Sequence, residues 1–190
     1  RLVGSEMCIR DRIQTAEAGV QEIRNMVLRI RELAVQMANG IYADTPDRAN
    51  ADLEVTALLT QIDLIADNTK FNGIALLSGG FSLDIHAGST TAERVRVQIS
   101  SVTISGISML TGPVGVATVT GSLSTIVLAD AAINSLGSRL ATLGSLQNRL
   151  TFSINNLSKS STTTEQAMGR IMDADFAQET SELSKSQILN

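Results

Sequence analysis

Two segments of the chain, one near each end, carry apolar residues at alternating steps of three and four. The members of the first stripe are Ile13, Ala16, Val20, Ile23, Val27, Ile30, Ala34 and Met37. The members of the second are Ile126, Ala129, Ile133, Leu136, Leu140, Leu143, Gln147, Leu150, Ile154 and Leu157, of which only Gln147 is polar. This spacing keeps one narrow stripe on one side of an α-helix, and such a stripe must pack against other helices to leave water. We therefore expect a mainly α protein whose two ends form a long antiparallel helical rod, resembling a coiled coil, with a small β-rich insert.

Breaks in the first stripe predict where the first two helices begin and end. The first helix is expected from about Ile13 to Ala38, because Asn39-Gly40 favours the left-handed conformation that closes a helix. Thr45-Pro46-Asp47 predicts a restart, since threonine suits a cap and proline suits the first turn. A second helix then continues to about Asp67 and, after so short a connection, lies antiparallel to the first.

The middle of the chain follows a different pattern. Eight of the fourteen glycines lie between Gly73 and Gly121, and Asn72-Gly73 is expected to end the helical part. Residues 81–85 and 94–99 alternate apolar and polar side chains, as half-buried strands do. They predict a β-hairpin with a turn at residues 87–90.

An uncharged run extends from residue 97 to residue 129, but glycine, proline, serine and threonine interrupt it. A membrane-spanning helix needs about twenty predominantly apolar residues in a row, so we expect a soluble segment and no membrane contact. Within this run, residues 102–104 and 114–119 are predicted as further strands.

The remaining segments are the two ends of the chain. The second long helix is expected to begin near Ser124 and to continue past Leu157, and residues 173–189 form a final helical stretch. Residues 1–12 carry no helical stripe, hold the one cysteine, Cys8, and resemble translated read-through of a sequencing adapter. The predicted domains are a non-native leader at 1–12, the N-terminal part of the helical rod at 13–79, a small β-rich segment at 80–123 and the C-terminal part of the rod at 124–190.

The composition offers little support for catalysis or for nucleic-acid binding. The chain has no Trp and one Tyr, whereas large ligand pockets are commonly lined by aromatic side chains. The net charge is −4 and no cluster of Lys or Arg occurs, so the electrostatic footprint of a nucleic-acid partner is missing. His86 is the one histidine, and with Asp84 it supplies too few ligands for a metal. We expect no enzymatic activity and no cofactor. We interpret the remaining carboxylates as residues on solvated helix faces: Asp63, Asp67, Asp173, Asp175 and Glu179.

A second ridge runs beside the stripe of the first helix, formed by Glu22, Met26, Arg29, Leu33 and Gln36. Leu33 flanks the buried stripe, and two interpretations stay open for it. It either widens the core or serves as an anchor for a partner, with Arg29 one turn away supplying charge.

Four stretches of the chain resemble bacterial flagellin, the subunit of the flagellar filament. They are Gln14 to Gln36 (QTAEAGVQEIRNMVLRIRELAVQ), Thr69 to Leu77 (TKFNGIALL), Leu146 to Leu150 (LQNRL) and Arg170 to Leu189 (RIMDADFAQETSELSKSQIL). The resemblance implies a structural protein of the extracellular flagellum, exported without a cleaved signal and assembled into a helical filament for motility. The partners it implies are other flagellin subunits, the flagellar export apparatus with its chaperone, and the filament cap and junction proteins.

The same resemblance carries two further expectations. Family members continue beyond these motifs at both ends, in segments that form the inner core of the filament, so we expect the chain as given to fold but not to polymerise. Many flagellins are also recognised by an innate immune receptor of the Toll-like class. The positions that match this recognition motif are Arg29, Leu33 and Glu54, with Arg31, Glu32 and Gln36 beside them.

Two other functions remain open from the sequence. A hook–filament junction protein of the same apparatus shares part of the pattern and would bind filament ends without forming filaments. A non-flagellar coiled-coil interaction module would explain the heptad stripes, but neither the paired terminal motifs nor the β segment.

Overall fold

The structure is a computed structural model that describes residues 2–86, 94–107, 114–172 and 176–189. Its α-helices are α1 (Leu2–Met37), α2 (Ala49–Asn68), α3 (Val119–Met172) and α4 (Phe176–Ile188), with a π-helix at Asp44–Arg48 just before α2. Its strands are β1 (Lys70–Phe71), β2 (Ile74–Ala75), β3 (Phe81–His86) and β4 (Arg94–Ile99). The chain divides into two compact units, residues 1–151 and residues 152–190, and α3 contributes to both. The predicted fold class, mainly α with helices from both ends of the chain and a small β insert, is confirmed.

The stripe of α1 forms the centre of the first unit. All eight of its predicted members are buried, and Met37, the most exposed of them, is only 4% exposed. They pack in one apolar cluster with residues of α2, the β-hairpins and α3, such as Ile62, Val97 and Leu136. Full burial of one aliphatic side chain contributes about 1.5–3 kcal/mol, so burial of this stripe stabilises the unit strongly.

The beginning of α1 differs from the prediction. The helix begins at Leu2 rather than near Ile13, and Ile9 is buried in line with the stripe. The guanidinium of Arg12 lies 5.4 Å from the ring centroid of Phe71, within the range of a cation–π contact. The expectation of no stripe in residues 1–12 is therefore wrong at Ile9, whereas the non-native origin of these residues stays a prediction.

Two polar contacts show the direction of α3 relative to α1. Gln147 Nε2 donates to Glu17 Oε2 at 2.7 Å, and Arg31 Nε donates to Asp130 Oδ1 at 2.6 Å. The earlier residue of α1, Glu17, pairs with the later residue of α3, Gln147, and the later residue of α1, Arg31, pairs with the earlier residue of α3, Asp130. The two helices are therefore antiparallel. Gln147, the polar member of the second stripe, is half-buried and has a partner for its amide.

The second stripe is buried on one side of α3. Ala129, Leu136, Leu143 and Leu150, spaced by seven, are at most 3% exposed. The alternate members Ile126, Ile133 and Leu140 are half-buried against the same cluster. Between Ala129 and Leu150 the predicted stripe therefore faces the core.

A short hairpin follows α2 where the sequence predicted only a helix end. The helix ends at Asn68, and β1 pairs with β2 so that Phe71 lies opposite Ile74. Asn72 has φ of 50° and Gly73 has φ of 78°, the positive values that a two-residue type I′ turn requires. Asn-Gly between two short strands is a strong hairpin signal, and this hairpin could have been predicted from it.

The second hairpin is confirmed with its predicted alternation. β3 and β4 are antiparallel, with Phe81 opposite Ile99 and Asp84 opposite Arg96. Val95, Val97 and Ile99 are buried, while the side chains between them are exposed. The predicted turn at residues 87–90 lies outside the described residues.

The further strands predicted at 102–104 and 114–119 are wrong. In the described parts, 100–107 and 114–118, the backbone forms turns and irregular structure. Ile104 N donates to Asp63 Oδ1 of α2 at 2.9 Å, so this backbone finds its partner on a helix instead of on another strand. α3 begins at Val119, earlier than expected, where the Thr118 hydroxyl accepts the N–H of Gly121 at 3.1 Å as a helix cap does.

The second unit consists of the end of α3 and of α4. Residues 173–175, where the final helical stretch was expected to begin, lie outside the described residues, and α4 covers Phe176–Ile188. Large apolar side chains of this unit are exposed, Phe152 by 73% and Ile171 by 84%. α3 stays helical through Thr162–Thr164, and each of these hydroxyls donates to the carbonyl four residues earlier.

The close approach of α1 to the turn before β1 generates the first testable prediction, Gly19→Ala. A Cβ at Gly19 would lie 2.8 Å from Leu77 Cδ1 and 2.9 Å from Thr69 Oγ1. Leu77 is fully buried and the Thr69 hydroxyl is held by the Ile65 carbonyl at 2.6 Å, so neither yields easily. The overpacking cost of about 1–3 kcal/mol exceeds the helix-propensity gain of about 1 kcal/mol.

We expect Gly19→Ala to lower the melting temperature of the chain by about 2–4 °C in a circular dichroism melt. Gly144→Ala is the matched control, because a Cβ there meets no atom within 4 Å. Its melting temperature should rise by a similar amount, since only the propensity gain remains. Equal shifts of both variants in the same direction would contradict the proposed packing at Gly19.

Candidate interaction surface

The predicted ridge of α1 divides between core and surface. Leu33 is 5% exposed and belongs to the apolar cluster, and Met26 is half-buried against it. Arg29, Glu22 and Gln36 are exposed. Of the two interpretations left open for Leu33, the structure of the single chain fits the widened core, because α2 packs beside this flank of α1.

Arg29 connects α1 to α2 at the surface. Its Nε donates to Glu54 Oε1 at 2.9 Å, and its Nη1 lies 3.6 Å from Glu32 Oε2 on the next turn. The side chain of Arg29 is 50% exposed and that of Glu54 is 44% exposed. The hydrogen bond to Glu54 and the negative charge of its carboxylate raise the pKa of the Arg29 guanidinium above its ordinary value. The three side chains form a small exposed charged cluster, here called the Arg29 cluster.

The other predicted site residues point elsewhere. Arg31 lies on the α3 side of α1, where it pairs with Asp130. Gln36 Nε2 donates to the hydroxyl of Tyr42 at 3.3 Å, near the end of α1. The six predicted residues therefore form one exposed cluster of three, one buried neighbour in Leu33, and two residues with separate local contacts.

A polar anchor in the middle of the chain escaped the sequence analysis. Asp63, interpreted as a solvated carboxylate, accepts the Ile104 N–H. Arg139 of α3 donates from Nη2 to the Gly106 carbonyl at 2.6 Å and from Nη1 to the Ser101 carbonyl. Burial lowers the pKa of Arg139 from its ordinary value. The turn at residues 101–107 is thus held by two side chains. The Asp63 carboxylate accepts one of its backbone N–H groups, and the Arg139 guanidinium donates to two of its carbonyls.

A similar contact holds the segment before α3. Asp52 Oδ1 accepts the Val116 N–H at 2.7 Å, so Asp52 and Asp63 of α2 both bind backbone of the connecting segment. The two carboxylates are eleven residues apart, which is close to three helical turns. That spacing on one face of α2 was the only signal in the sequence.

The residues considered for a metal site and the helix considered for a membrane span give little support to either function. Asp84, beside the one histidine, forms an ion pair with Arg96 at 2.8 Å. Within the described ranges, no group of three His, Cys, Asp or Glu side chains could hold a metal. By length and composition, α3 passes the test for a membrane-spanning helix, a test that core helices of soluble proteins also pass.

Comparisons with known proteins identify both ends of the chain. The family model described as the bacterial flagellin N-terminal helical region matches residues 5–82, and the one described as the C-terminal helical region matches residues 126–190. Flagellin FlaB1 of Treponema pallidum is 33% identical over 192 residues, covering 93% of this chain and 67% of that protein. The flagellin of Bacillus subtilis is 32% identical over 210 residues, covering 94% of this chain and 69% of that protein.

The chain belongs to the bacterial flagellin family. It is a structural subunit of the extracellular flagellar filament, where it assembles with other flagellin subunits and serves motility. The predicted family and filament role are confirmed.

Solved structures agree with this assignment. The crystal structure of Bacillus cereus flagellin superposes with a TM-score of 0.69 at 28% identity, covering 85% of this chain and 93% of that one. A structure described as a flagellar hook-associated protein of Vibrio parahaemolyticus superposes with a TM-score of 0.70 at 14% identity, covering 89% of each chain. At that identity the likeness shows the fold alone, so the junction-protein alternative gains no better support than the flagellin assignment.

The anchor at Asp63 generates the second testable prediction. Asp63→Ala leaves the Ile104 N–H without its acceptor in a part-buried site, which costs about 1–3 kcal/mol. We expect the midpoint of urea unfolding to fall accordingly. Asp67→Ala removes an exposed carboxylate one turn later and should change stability by no more than about 0.5 kcal/mol. Equal loss in both variants would show that Asp63 contributes only charge.

Proposed function

We propose that the Arg29 cluster is the part of this flagellin that a host innate immune receptor of the Toll-like class recognises. The matching of Arg29, Leu33 and Glu54 to the family's recognition motif, with Glu32 beside them, motivates the proposal. The observation that carries it is the exposed ion pair between Arg29 and Glu54, which joins two helices at one point of the surface. A guanidinium held in this way loses less side-chain entropy on binding than a free one.

Leu33 takes a supporting role in this proposal. It is 5% exposed beneath the ridge, so we expect it to position α1 against α2 and not to contact the receptor. Truncation of a buried leucine costs about 2–5 kcal/mol, and Leu33→Ala therefore confuses recognition with stability. Arg29 and Glu54 are the better residues to test.

The third prediction concerns receptor activation. We expect Arg29→Asp to weaken activation of a receptor reporter cell line at least about tenfold, because an interface arginine is often a binding hot spot. Helicity and melting temperature should stay close to those of the wild type, since the pair is exposed and screened by solvent.

Arg96→Asp is the matched control for this experiment. Arg96 also forms an exposed ion pair, with Asp84, and that carboxylate raises its pKa in the same way. The control should activate the reporter as the wild type does. Unchanged activation by Arg29→Asp, or equal loss in Arg96→Asp, would remove the Arg29 cluster as the site.

We further propose that this flagellin acts by assembly and not by catalysis, and that its other partners are the export apparatus with its chaperone and the filament cap and junction proteins. The exposed apolar side chains of the second unit, among them Phe152, Ile171 and Ile188, support a role in contacts with other proteins. Large exposed apolar surfaces commonly mark such contacts.

A further inference from the structure

The tripeptide Asn-Gly-Ile occurs twice in the chain, at residues 39–41 and 72–74. The first copy lies in the turn between α1 and the π-helix, and the second spans the turn from β1 to β2. Both asparagines are exposed, and a Cβ on either glycine would meet no atom within 4 Å. The two copies are therefore matched in sequence and in access to water, so a chemical difference between them has to come from the fold.

An asparagine that precedes a glycine loses its side-chain amide by a reaction that needs no enzyme. Asparagine is a thermolabile residue, and a glycine, which has no Cβ, leaves its own backbone nitrogen unshielded. That nitrogen attacks the asparagine Cγ, a C–N bond forms, and the side-chain NH₂ leaves as ammonia with the backbone N–H proton. Water then opens one of the two C–N bonds of the resulting five-membered imide. The product is aspartate, or isoaspartate when the main chain continues through the former side chain, and both add a negative charge.

Asn72 is held in a conformation that opposes this cyclisation. Its φ is 50°, and its neighbours Phe71 and Ile74 are paired across the hairpin. In the left-handed conformation, the Cβ and the next backbone nitrogen lie on nearly opposite sides of the Cα–C bond, whereas the imide ring needs them on the same side. Cyclisation at Asn72 therefore requires the hairpin turn to open, and we expect it to be slow in the folded chain.

Asn39 lacks this restraint and has a cation beside the reacting peptide bond. Its φ is negative, and its neighbours lie in a turn outside any strand. Arg48 is 2% exposed, and its Nη2 donates to the backbone carbonyl of Asn39 at 3.0 Å. When the Gly40 nitrogen loses its proton, negative charge spreads onto this carbonyl oxygen, because both atoms belong to one resonant peptide bond. A charge-assisted hydrogen bond from a buried guanidinium stabilises that charge.

We propose that Asn39 is a site of spontaneous deamidation in this flagellin, that Arg48 promotes the reaction, and that the fold protects Asn72. The new carboxylate lies just beyond the C-terminal end of α1, where the helix dipole disfavours negative charge. Arg48 offsets this effect, because in isoaspartate the carbonyl that it contacts becomes the free carboxylate. Deamidation thus adds a permanent negative charge at an exposed turn of an extracellular subunit, and this charge accumulates with the age of the subunit.

Peptide mapping by mass spectrometry tests the site, and it is the fourth prediction. Trypsin places the two tripeptides in separate peptides, residues 32–48 and 71–94, so each serves as an internal standard for the other. The purified chain is incubated for weeks in neutral buffer, either folded or unfolded in guanidinium chloride. We expect Asn39 to deamidate at least about tenfold faster than Asn72 in the folded chain. In guanidinium chloride the preference should fall below about twofold, because the reacting tripeptides are identical.

Arg48→Met tests the promoting contact, since it removes the guanidinium and leaves an unbranched apolar side chain in the buried site. We expect deamidation of Asn39 in the folded chain to slow at least about fivefold. The rate at Asn72 in the same sample reports unfolding, because an unfolded chain would deamidate faster there. Arg48→Lys keeps a cation without the planar fork and should give a rate between those of the wild type and Arg48→Met. Arg149→Met, at an exposed position of α3, is the matched control and should leave both rates unchanged.

Equal rates at Asn39 and Asn72 in the folded chain would overturn the inference. A preference for Asn39 that persists in guanidinium chloride would also overturn it, because the fold would then have no part in the difference. An unchanged rate at Asn39 in Arg48→Met, with Asn72 still slow, would contradict the role of Arg48. If Arg48→Met unfolds the chain, the rate in Arg48→Lys decides that role in the same way.

Discussion

Burial of the α1 stripe is the interaction on which the rest of the structure depends. Its members, from Ile13 to Met37, contact a cluster that includes α2, the hairpins and α3. α2 is its neighbour in the sequence, whereas α3 begins only at Val119. Two distant ends of the chain therefore share one core, and neither end alone covers the apolar surface of its own helix.

Apolar stripes alone leave the register of such helices poorly defined, because a shift by one heptad exchanges one leucine for another. The contacts of Glu17 with Gln147 and of Arg31 with Asp130 favour the observed register over shifted ones. In a shifted register, the polar groups of both contacts would lie at the edge of the core without these partners. A polar residue within a heptad stripe is a known device for specifying register, and Gln147 fits that role here.

The sequence predicted what depends on periodic burial and failed where long-range polar contacts decide. The stripe of α1 and the alternation in β3 and β4 are local patterns of three to seven residues, and both were confirmed. The segment after β4 has buried apolar residues too, yet Asp63 and Arg139 hold it in turns. Neither contact leaves a local pattern, because the carboxylate and its N–H are forty-one residues apart. Asn72-Gly73, by contrast, was a readable hairpin signal that the helix-end interpretation obscured.

The candidate site shows the same limit at the scale of one side chain. Leu33 and Leu53 both belong to amphipathic helices, yet one is 5% exposed and the other 69%. The difference comes from the packing of α2 against α1, which brings Glu54 to Arg29 and leaves Leu33 buried beside them. A filament subunit therefore makes its core and its interaction surfaces from adjacent sides of the same helices. Hydrophobic periodicity identifies the core. The assignment of a flanking residue to core or surface requires knowledge of how the neighbouring helix packs.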